Sequence, residues 1–196
     1  MSKSILLSGG IDSIALLYLF KPPIAVTIDY GQKPAMAEIR SSKKVCEVLN
    51  IRHEVITVDC SSLGSGDLLG SKAIAEAPSP EWWPFRNQLL VTLACMKGIT
   101  LGIDEFIVGS VRTDGFHRDG TAEFYSKINS LVEYQEGRIK VTCPAINLST
   151  VELVQKSRIP YEILLWAHSC HTSNDPCGYC RGCLKHLLVR QDLNLA

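Results

Sequence analysis

A glycine-rich turn between the first predicted strand and the first predicted helix is the clearest candidate for chemistry. It is the run Ser8-Gly9-Gly10-Ile11-Asp12-Ser13. Two adjacent glycines let a backbone turn tightly and bring its N–H groups close to an anion, and the following helix N-terminus adds its positive end. The hydroxyls of Ser8 and Ser13 would add donors, and Asp12 could hold a magnesium ion that bridges phosphates. The alternative is an ordinary strand–turn–helix junction with Asp12 as the helix N-cap, but the combination favours phosphate binding.

A second group of candidate ligands is a cluster of four cysteines within fourteen positions: Cys170, Cys177, Cys180 and Cys183. Their spacing supplies two close pairs of thiolates, as a tetrahedral zinc site requires. Similar spacing occurs at iron–sulfur clusters, two of the thiols could be redox active, and His168 and His171 could replace a thiolate ligand. We favour zinc with a structural role, because four protein ligands leave no open position for water.

Two polar stretches in the middle of the chain could bind substrate. Arg86 and Asn87 begin a predicted apolar helix after Trp82-Trp83-Pro84-Phe85, where they would suit phosphate or ribose. A pairing of Arg86 with a surface carboxylate is the alternative. The second stretch begins at Gly109, after a predicted strand, where open parallel sheets gather ligands. Its carboxylates could contact a metal or a purine edge unless they form a solvated acidic loop: Asp114, Asp119 and Glu123. The roles of His117 and Arg118 stay open.

Composition excludes several classes of protein. The 196 residues are 46% hydrophobic and carry equal numbers of acidic and basic side chains, so a packed core is expected and a general attraction to nucleic acid is not. No apolar run approaches the roughly 18 residues of a membrane helix. The short apolar start meets Ser8-Gly9-Gly10 at once, unlike a signal peptide. The clustered cysteines then indicate a metal protein of the reducing cytoplasm.

Alternating strand and helix patterns predict the fold class. We expect strands at 4–7, 24–28, 55–58, 105–108 and 140–144, and helices at 12–20, 34–50, 86–97, 122–136 and 184–190. Ser149 and Glu152 have capping-box spacing and predict one more helix, whereas 61–80 should be a loop. The alternation predicts an α/β protein with an open, mostly parallel, twisted sheet and helices on both faces. Residues 1–160 would form this domain, and residues 161–196 a small zinc-binding segment packed on it.

The glycine-rich turn resembles the pyrophosphate loop (PP-loop) of the N-type ATP pyrophosphatases. Taken with Asp29-Tyr30-Gly31-Gln32, the Phe85-Arg86-Asn87 helix start and the spacing of the four cysteines, the chain resembles the QueC family of 7-cyano-7-deazaguanine synthases over nearly its whole length. The resemblance implies a Rossmann-like fold of the adenine nucleotide alpha hydrolase type. It also implies ATP and Mg²⁺ at the turn beside Asp29 and Tyr30, catalytic roles for Asp12 and Arg86, and Zn²⁺ on the cysteines.

The resemblance further implies a reaction. The substrate would be 7-carboxy-7-deazaguanine, a deazapurine carboxylate that ATP activates as an acyl adenylate. Ammonia displaces AMP to give the amide, and a second ATP converts the amide into the nitrile. Free ammonia and a homodimer are the family expectations.

Departures from the family pattern keep two other hypotheses open. Lys33-Pro34 stands where the family usually has Arg-His, Phe85 replaces a glycine, and the segment after Asp114 is shorter. The chain could therefore be a QueC-like adenylating enzyme of an anti-phage system that attaches a deazapurine to a protein or nucleic acid. A non-catalytic nucleotide-binding module or a tRNA-modifying enzyme is the third hypothesis. It has little support, because a solvated helix face explains the one local basic cluster, Arg181, Lys185, His186 and Arg190.

Overall fold

A parallel five-stranded sheet forms the centre of the molecule. The computed structural model describes residues 2–194. The strands are β1 (Lys3–Leu6), β2 (Ile24–Asp29), β3 (Arg52–Thr57), β4 (Glu105–Ile107) and β5 (Lys140–Thr142). They lie in the order β3-β2-β1-β4-β5, and every neighbouring pair is parallel. The chain order reverses between β1 and β4, which is the point where open parallel sheets bind ligands.

The helices cover both faces of the sheet, as the sequence predicted. They are α1 (Ile11–Phe20), α2 (Ala35–Leu49), α3 (Arg86–Leu101), α4 (Ala122–Tyr134), α5 (Thr150–Ser157), α6 (Tyr161–Leu164) and α7 (Arg181–Asp192). One hydrophobic cluster joins β1 to α1, α2, α5, α6 and α7, and the other joins β2 to α3 and α4.

The central strands are apolar on both sides because both of their faces are covered. Side chains alternate along a strand, so Val26 and Ile28 of β2 pack in the cluster with α3 and α4, whereas Ala25 packs in the cluster with α1. These side chains are buried, with at most 5% of their surface exposed. This burial explains the continuous apolar runs that predicted the strands.

Tertiary packing explains two of the predicted boundaries that were wrong. Strand β3 begins at Arg52 rather than at residue 55, because it is an edge strand whose polar Arg52 and Glu54 side chains form an ion pair at 2.6 Å. Helix α3 continues through Gly98 to Leu101. A Cβ at Gly98 would lie 2.6 Å from Phe106 Cε2, so this glycine lets the helix approach β4 closely rather than ending it.

The termini of three other helices test local patterns. The capping box of α5 is confirmed: Ser149 Oγ accepts from Glu152 N, and Glu152 Oε2 accepts from Ser149 N at 2.6 Å. Helix α7 begins at Arg181, three residues before the predicted start, and α6 was not predicted.

The 61–80 region contains one short 3-10 turn, Ser61–Leu63, as expected of a loop. Between residues 2 and 194, no helix has the length and apolar character that crossing a membrane needs.

Candidate functional site

A cavity of about 310 Å³ opens at the carboxyl ends of β1, β2 and β4. Its walls come from the glycine-rich turn, the beginning of α3, the segment after β4 and the beginning of α7. Most of the residues predicted to bind ligand line it: Ser8, Gly10, Ile11, Asp12, Ser13, Tyr30, Arg86, Asn87, Gly109 and Asp114. The sheet therefore brings together segments that are distant in the sequence, at the place where its topology favours a ligand.

Gly9 is not among the residues that line the cavity, but it determines the conformation of the glycine-rich turn. Its φ is +74°, and a Cβ there would lie 2.8 Å from the backbone oxygen of Glu38. The Gly9 carbonyl accepts hydrogen bonds from the backbone N–H of His168 at 2.8 Å and from Ser41 Oγ at 2.9 Å. The turn thus needs glycine for its left-handed conformation and for its close packing against α2.

The turn presents donors at the start of α1. Gly10 is the helix N-cap and Ile11 is the first helical residue, so the hypothesis that Asp12 is the N-cap was wrong. Ser13 Oγ donates to Gly10 O at 3.0 Å and lies 3.2 Å from Ser8 Oγ. The first N–H groups of a helix have no acceptor within it, so those of α1 are available to an anion.

Asp12 is half-buried, and its two carboxylate oxygens differ. Oδ2 accepts a hydrogen bond from Lys185 Nζ at 2.9 Å. Oδ1 is buried and has no partner in hydrogen-bond geometry among residues 2–194, although the Thr150 hydroxyl is close enough to lower the pKa of Asp12. Burial raises the pKa of Asp12 above its ordinary value, although the Lys185 ammonium acts in the opposite direction. A buried carboxylate oxygen with no partner in hydrogen-bond geometry fits a hard cation such as Mg²⁺.

Lys185 is a site residue that the sequence analysis missed. Its ammonium also lies 3.6 Å from Asp114 Oδ1, so it bridges two carboxylates. Burial alone would lower the pKa of Lys185, but Asp12 and Asp114 outweigh burial and raise it. The basic cluster of α7 was interpreted as a solvated helix face. Nothing in the local sequence shows that Lys185 reaches the glycine-rich turn.

Arg86 lies inside the cavity wall, so its pairing with a surface carboxylate is not observed. Burial would lower the pKa of its guanidinium, but its interactions with the acidic groups of Tyr30, Asp119 and Glu38 outweigh burial and raise it. Asn87 is fixed beside it, because its side-chain amide donates to the backbone oxygen of Asp119 at 2.8 Å. Arg86 therefore supplies a permanent positive charge to the cavity.

Glu38 of α2 is the second missed residue of the cavity. Burial raises its pKa to about 7, although Gln32 and Arg86 act in the opposite direction. Gln32 Nε2 donates to Glu38 Oε2 at 2.8 Å, and Gln32 Oε1 accepts from the backbone N–H of Tyr30 at 2.8 Å. Burial also raises the pKa of Tyr30. The acid is therefore held in place, and near neutral pH it exists in both protonation states.

Three predicted carboxylates lie outside the cavity wall. Asp29 accepts from the backbone N–H of Gly31 at 3.0 Å and shapes the turn after β2. Asp119 accepts from the backbone N–H of Asn87 at 3.3 Å, so it positions a cavity residue. Glu123 is exposed and pairs with Lys127 on the next turn of α4. His117, whose role the sequence left open, also lies outside the wall and contacts Ser79 Oγ at 3.3 Å.

The four clustered cysteines bring their sulfur atoms into one compact set. Their Sγ atoms all lie within 4.8 Å of one another, with Cys177–Cys183 at 3.9 Å and Cys170–Cys180 at 4.0 Å. A tetrahedral zinc–thiolate centre with bonds of about 2.3 Å places its sulfurs about 3.8 Å apart, so the set fits a metal ion. His168 and His171 are not members of this set.

Hydrogen bonds connect the segment that contains the four cysteines, residues 166–183, to the glycine-rich turn and to α2. Besides the His168–Gly9 hydrogen bond, Ser41 Oγ lies 2.6 Å from Trp166 O and 2.9 Å from Gly9 O, so its single proton is shared between the two carbonyls. Asn174 Oδ1 accepts from the backbone N–H of Ala37 at 2.9 Å. The Cys180 thiol caps α7 by accepting from Cys183 N. The segment therefore forms one wall of the site and carries Lys185 into it.

An open parallel sheet, a glycine-rich turn into the first helix and a cavity at the switch in strand order define the Rossmann-like class of nucleotide-binding α/β proteins. Within this class, a family model described as "Queuosine biosynthesis protein QueC" matches residues 3–189. The chain belongs to the QueC family, as the sequence motifs predicted.

Similar curated proteins agree with this assignment. The 7-cyano-7-deazaguanine synthase of Methanocaldococcus jannaschii is 27% identical and the match covers 91% of this chain and 90% of that protein. The synthases of Methanosarcina barkeri and Methanosarcina mazei are 29% and 28% identical, over 92% and 97% of this chain and 89% and 94% of their own lengths. These relatives support an enzyme with a QueC-type, ATP-dependent function, and they give no support to the anti-phage hypothesis.

Among solved structures, the NMN synthetase of Francisella tularensis is similar to this chain. The similarity covers 100% of this chain and 78% of the other, with a TM-score of 0.50 and 18% identity. At this identity, the likeness shows the fold alone.

Proposed function

We propose that this protein is an AMP-forming ligase that converts 7-carboxy-7-deazaguanine, through its amide, into the nitrile 7-cyano-7-deazaguanine. The observation that carries the proposal is a single cavity that joins the glycine-rich turn to Arg86, Asn87 and the half-buried acid Glu38. One side of this cavity suits the phosphates of ATP, and the other side suits a polar heterocycle. Membership of the QueC family supports the choice of substrate.

The chemistry consists of two activations. A carboxylate oxygen of the substrate attacks the α-phosphorus of ATP, pyrophosphate leaves, and ammonia then displaces AMP from the acyl carbon with loss of a proton. The oxygen of the resulting amide attacks a second ATP, and departure of AMP with loss of the remaining nitrogen-bound protons leaves the nitrile. Each oxygen thus departs as part of AMP, which is a far better leaving group than oxide. The protein must mainly position anions and offset their repulsion.

The glycine-rich turn would bind the pyrophosphate portion of ATP. The free N–H groups at the start of α1 and the hydroxyls of Ser8 and Ser13 supply the donors. Asp12, whose Oδ1 has no partner in hydrogen-bond geometry among the described residues, would hold Mg²⁺. When bound, Mg²⁺ supplies positive charge to the phosphate oxygens.

The opposite side of the cavity would bind the substrate. Arg86 is placed to stabilise negative charge on the carboxylate or the α-phosphate, and Asn87 lies beside it. The Gln32-supported carboxyl of Glu38 would accept from the N–H groups of the deazapurine. Gly109 and Asp114 line the cavity next to the glycine-rich turn, because Gly109 packs against Ser13 and Asp114 lies 3.6 Å from Lys185 Nζ; Asp119 positions Asn87.

Zinc on the four cysteines would have a structural role. Four thiolates complete a tetrahedral site and leave no position for substrate. The metal would fix the segment that supports Gly9 and carries α7. We further propose that the enzyme is a homodimer, which light scattering of the purified protein would test against the mass of one chain.

Product analysis tests the proposed reaction. The purified protein is incubated with ATP, Mg²⁺, ammonium and 7-carboxy-7-deazaguanine, and AMP, amide and nitrile are quantified by mass spectrometry. The proposal expects nitrile, with two AMP released for each one formed. AMP with a stalled adenylate or amide would contradict the nitrile step and favour transfer to another acceptor. No AMP at all would contradict the enzyme assignment and favour a nucleotide-binding module.

A further inference from the structure

Lys185 occupies a position that the proposed reaction leaves unexplained. Its ammonium lies 2.9 Å from Asp12 Oδ2 and 3.6 Å from Asp114 Oδ1, and its side chain lines the cavity. These carboxylates belong to the segments that follow β1 and β4, on either side of the switch in strand order. The ammonium therefore lies beside the turn to which the phosphates of a nucleotide would bind.

Only one of the two carboxylate oxygens of Asp12 accepts a hydrogen bond from Lys185. Lys185 holds Oδ2, whereas Oδ1 is buried with no charged partner and no partner in hydrogen-bond geometry among residues 2–194, its polar neighbour being the neutral Thr150 hydroxyl. A divalent cation prefers carboxylate oxygens, and a nucleotide brings such a cation with it. A divalent cation and an ammonium on the same carboxylate would repel each other strongly in a buried site. Binding of the cation would therefore displace the ammonium from Asp12.

The backbone of Lys185 is fixed, so only its side chain can respond. Cys180 caps α7 by accepting from the backbone N–H of Cys183 at 3.4 Å, and Lys185 follows two residues later. The four-cysteine set thus fixes the first turn of the helix. The lysine stem is flexible, and its ammonium carries three donors that suit phosphate oxygens. An ammonium displaced from Asp12 would find the incoming phosphates within the same cavity.

We propose that Lys185 is a mobile phosphate-binding residue, which pairs with Asp12 in the absence of nucleotide and moves to a phosphate oxygen of ATP when Asp12 binds the divalent cation. This inference rests on the proposed function, because it deepens the description of the same ATP site. It also gives the cysteine set a task beyond folding, since that set fixes the helix that carries a substrate-binding lysine. Lys185 would pair with Asp12 before nucleotide binds and with a phosphate oxygen afterwards. Its removal should therefore strengthen the binding of the divalent cation and weaken the binding of phosphate.

Calorimetric titration of the full-length protein tests this opposition. Each variant is titrated with Mg²⁺ alone and with Mg²⁺–pyrophosphate, neither of which requires the deazapurine. We expect Lys185→Met to bind Mg²⁺ alone several-fold more tightly, because a competitor for Asp12 is gone. It should bind Mg²⁺–pyrophosphate at least about 10-fold more weakly, because a charged hydrogen bond is lost. Lys185→Arg should retain part of the pyrophosphate affinity.

A matched control is Arg190→Met, which removes a positive charge from the same helix at a position outside the cavity wall. It should leave both affinities unchanged, and metal analysis should find the wild-type metal content in all three variants. If Lys185→Met weakens both ligands, the lysine only maintains the fold. If it tightens both, the lysine only blocks the site. Either result, or no change, would overturn the inference.

The failure of this inference is distinguishable from failure of the proposed function. A wild-type protein that binds neither Mg²⁺–pyrophosphate nor Mg²⁺–ATP would contradict the proposed function itself. A wild-type protein that binds them, with affinities that do not respond to Lys185→Met, would contradict the role of Lys185 alone.

Discussion

Gly9→Ala should destabilise the protein by about 3 kcal/mol, and the structure divides this cost into two parts. Gly9 has a φ of +74°, which costs a residue with a Cβ about 1–2 kcal/mol. The new methyl would also lie 2.8 Å from the backbone oxygen of Glu38 and 3.0 Å from Ser41 Cβ. Because backbone cannot yield locally, the turn must shift and strain the two hydrogen bonds to Gly9 O, worth about 1 kcal/mol each.

Two control substitutions separate these contributions. Gly102 has a φ of +65° but nothing within 4 Å of its Cβ position, so Gly102→Ala should cost only the backbone strain. Gly115 has open space and no positive φ, so Gly115→Ala should stay within about 0.5 kcal/mol of the wild type. Equilibrium unfolding in urea gives the three free energies. If Gly9→Ala loses no more stability than Gly102→Ala, the close packing of the turn against α2 contributes nothing, and the argument for Gly9 fails.

Three further predictions concern the site. Asp12→Asn should lower AMP formation at least about 100-fold while metal analysis finds the metal content unchanged; retained activity would contradict the role of Asp12. Cys177→Ser should lose the bound metal and lower the melting temperature by about 10 °C in calorimetry, whereas Cys60→Ser, outside the cluster, should do neither. Glu38→Gln should become steadily more stable relative to the wild type between pH 4.5 and 7. The pKa of Glu38 is raised in the folded state to about 7, so the free energy of unfolding of the wild type falls as the pH rises through this interval, whereas that of the Gln variant lacks this contribution. Parallel pH profiles of the two proteins in urea unfolding would contradict this.

Local patterns predicted the parts of the fold and site that depend on neighbouring residues. The strand–turn–helix unit around the glycine-rich turn, the capping box at Ser149 and the pairing of the cysteines all involve residues close in the sequence. Their physics is contained in a window of a few residues, so their types and spacing were sufficient. The two-faced sheet was also predictable, because apolar strands alternating with helices allow few other arrangements.

Tertiary contacts decided what the sequence could not predict. Lys185 meets Asp12 across 173 positions, and on its own helix it has the character of a solvated residue. Glu38 belongs to α2, a helix that carries both apolar and polar side chains. Its carboxyl faces the cavity only because α2 packs against the glycine-rich turn. The polar start of β3 could not be predicted as strand, since its pattern reflects an edge position that the sheet order alone determines.

Strand β1 pairs with β2 on one side and with β4 on the other, and Lys3 of β1 aligns with Glu105 of β4. The pairing of β1 with β4 therefore closes a loop of about a hundred residues, and long-range contacts of this kind form slowly in folding. On the proposed function, partly folded chains would consequently lack the assembled site for ATP. Nucleotide would instead select the finished molecule, and it would draw the folding equilibrium toward that state.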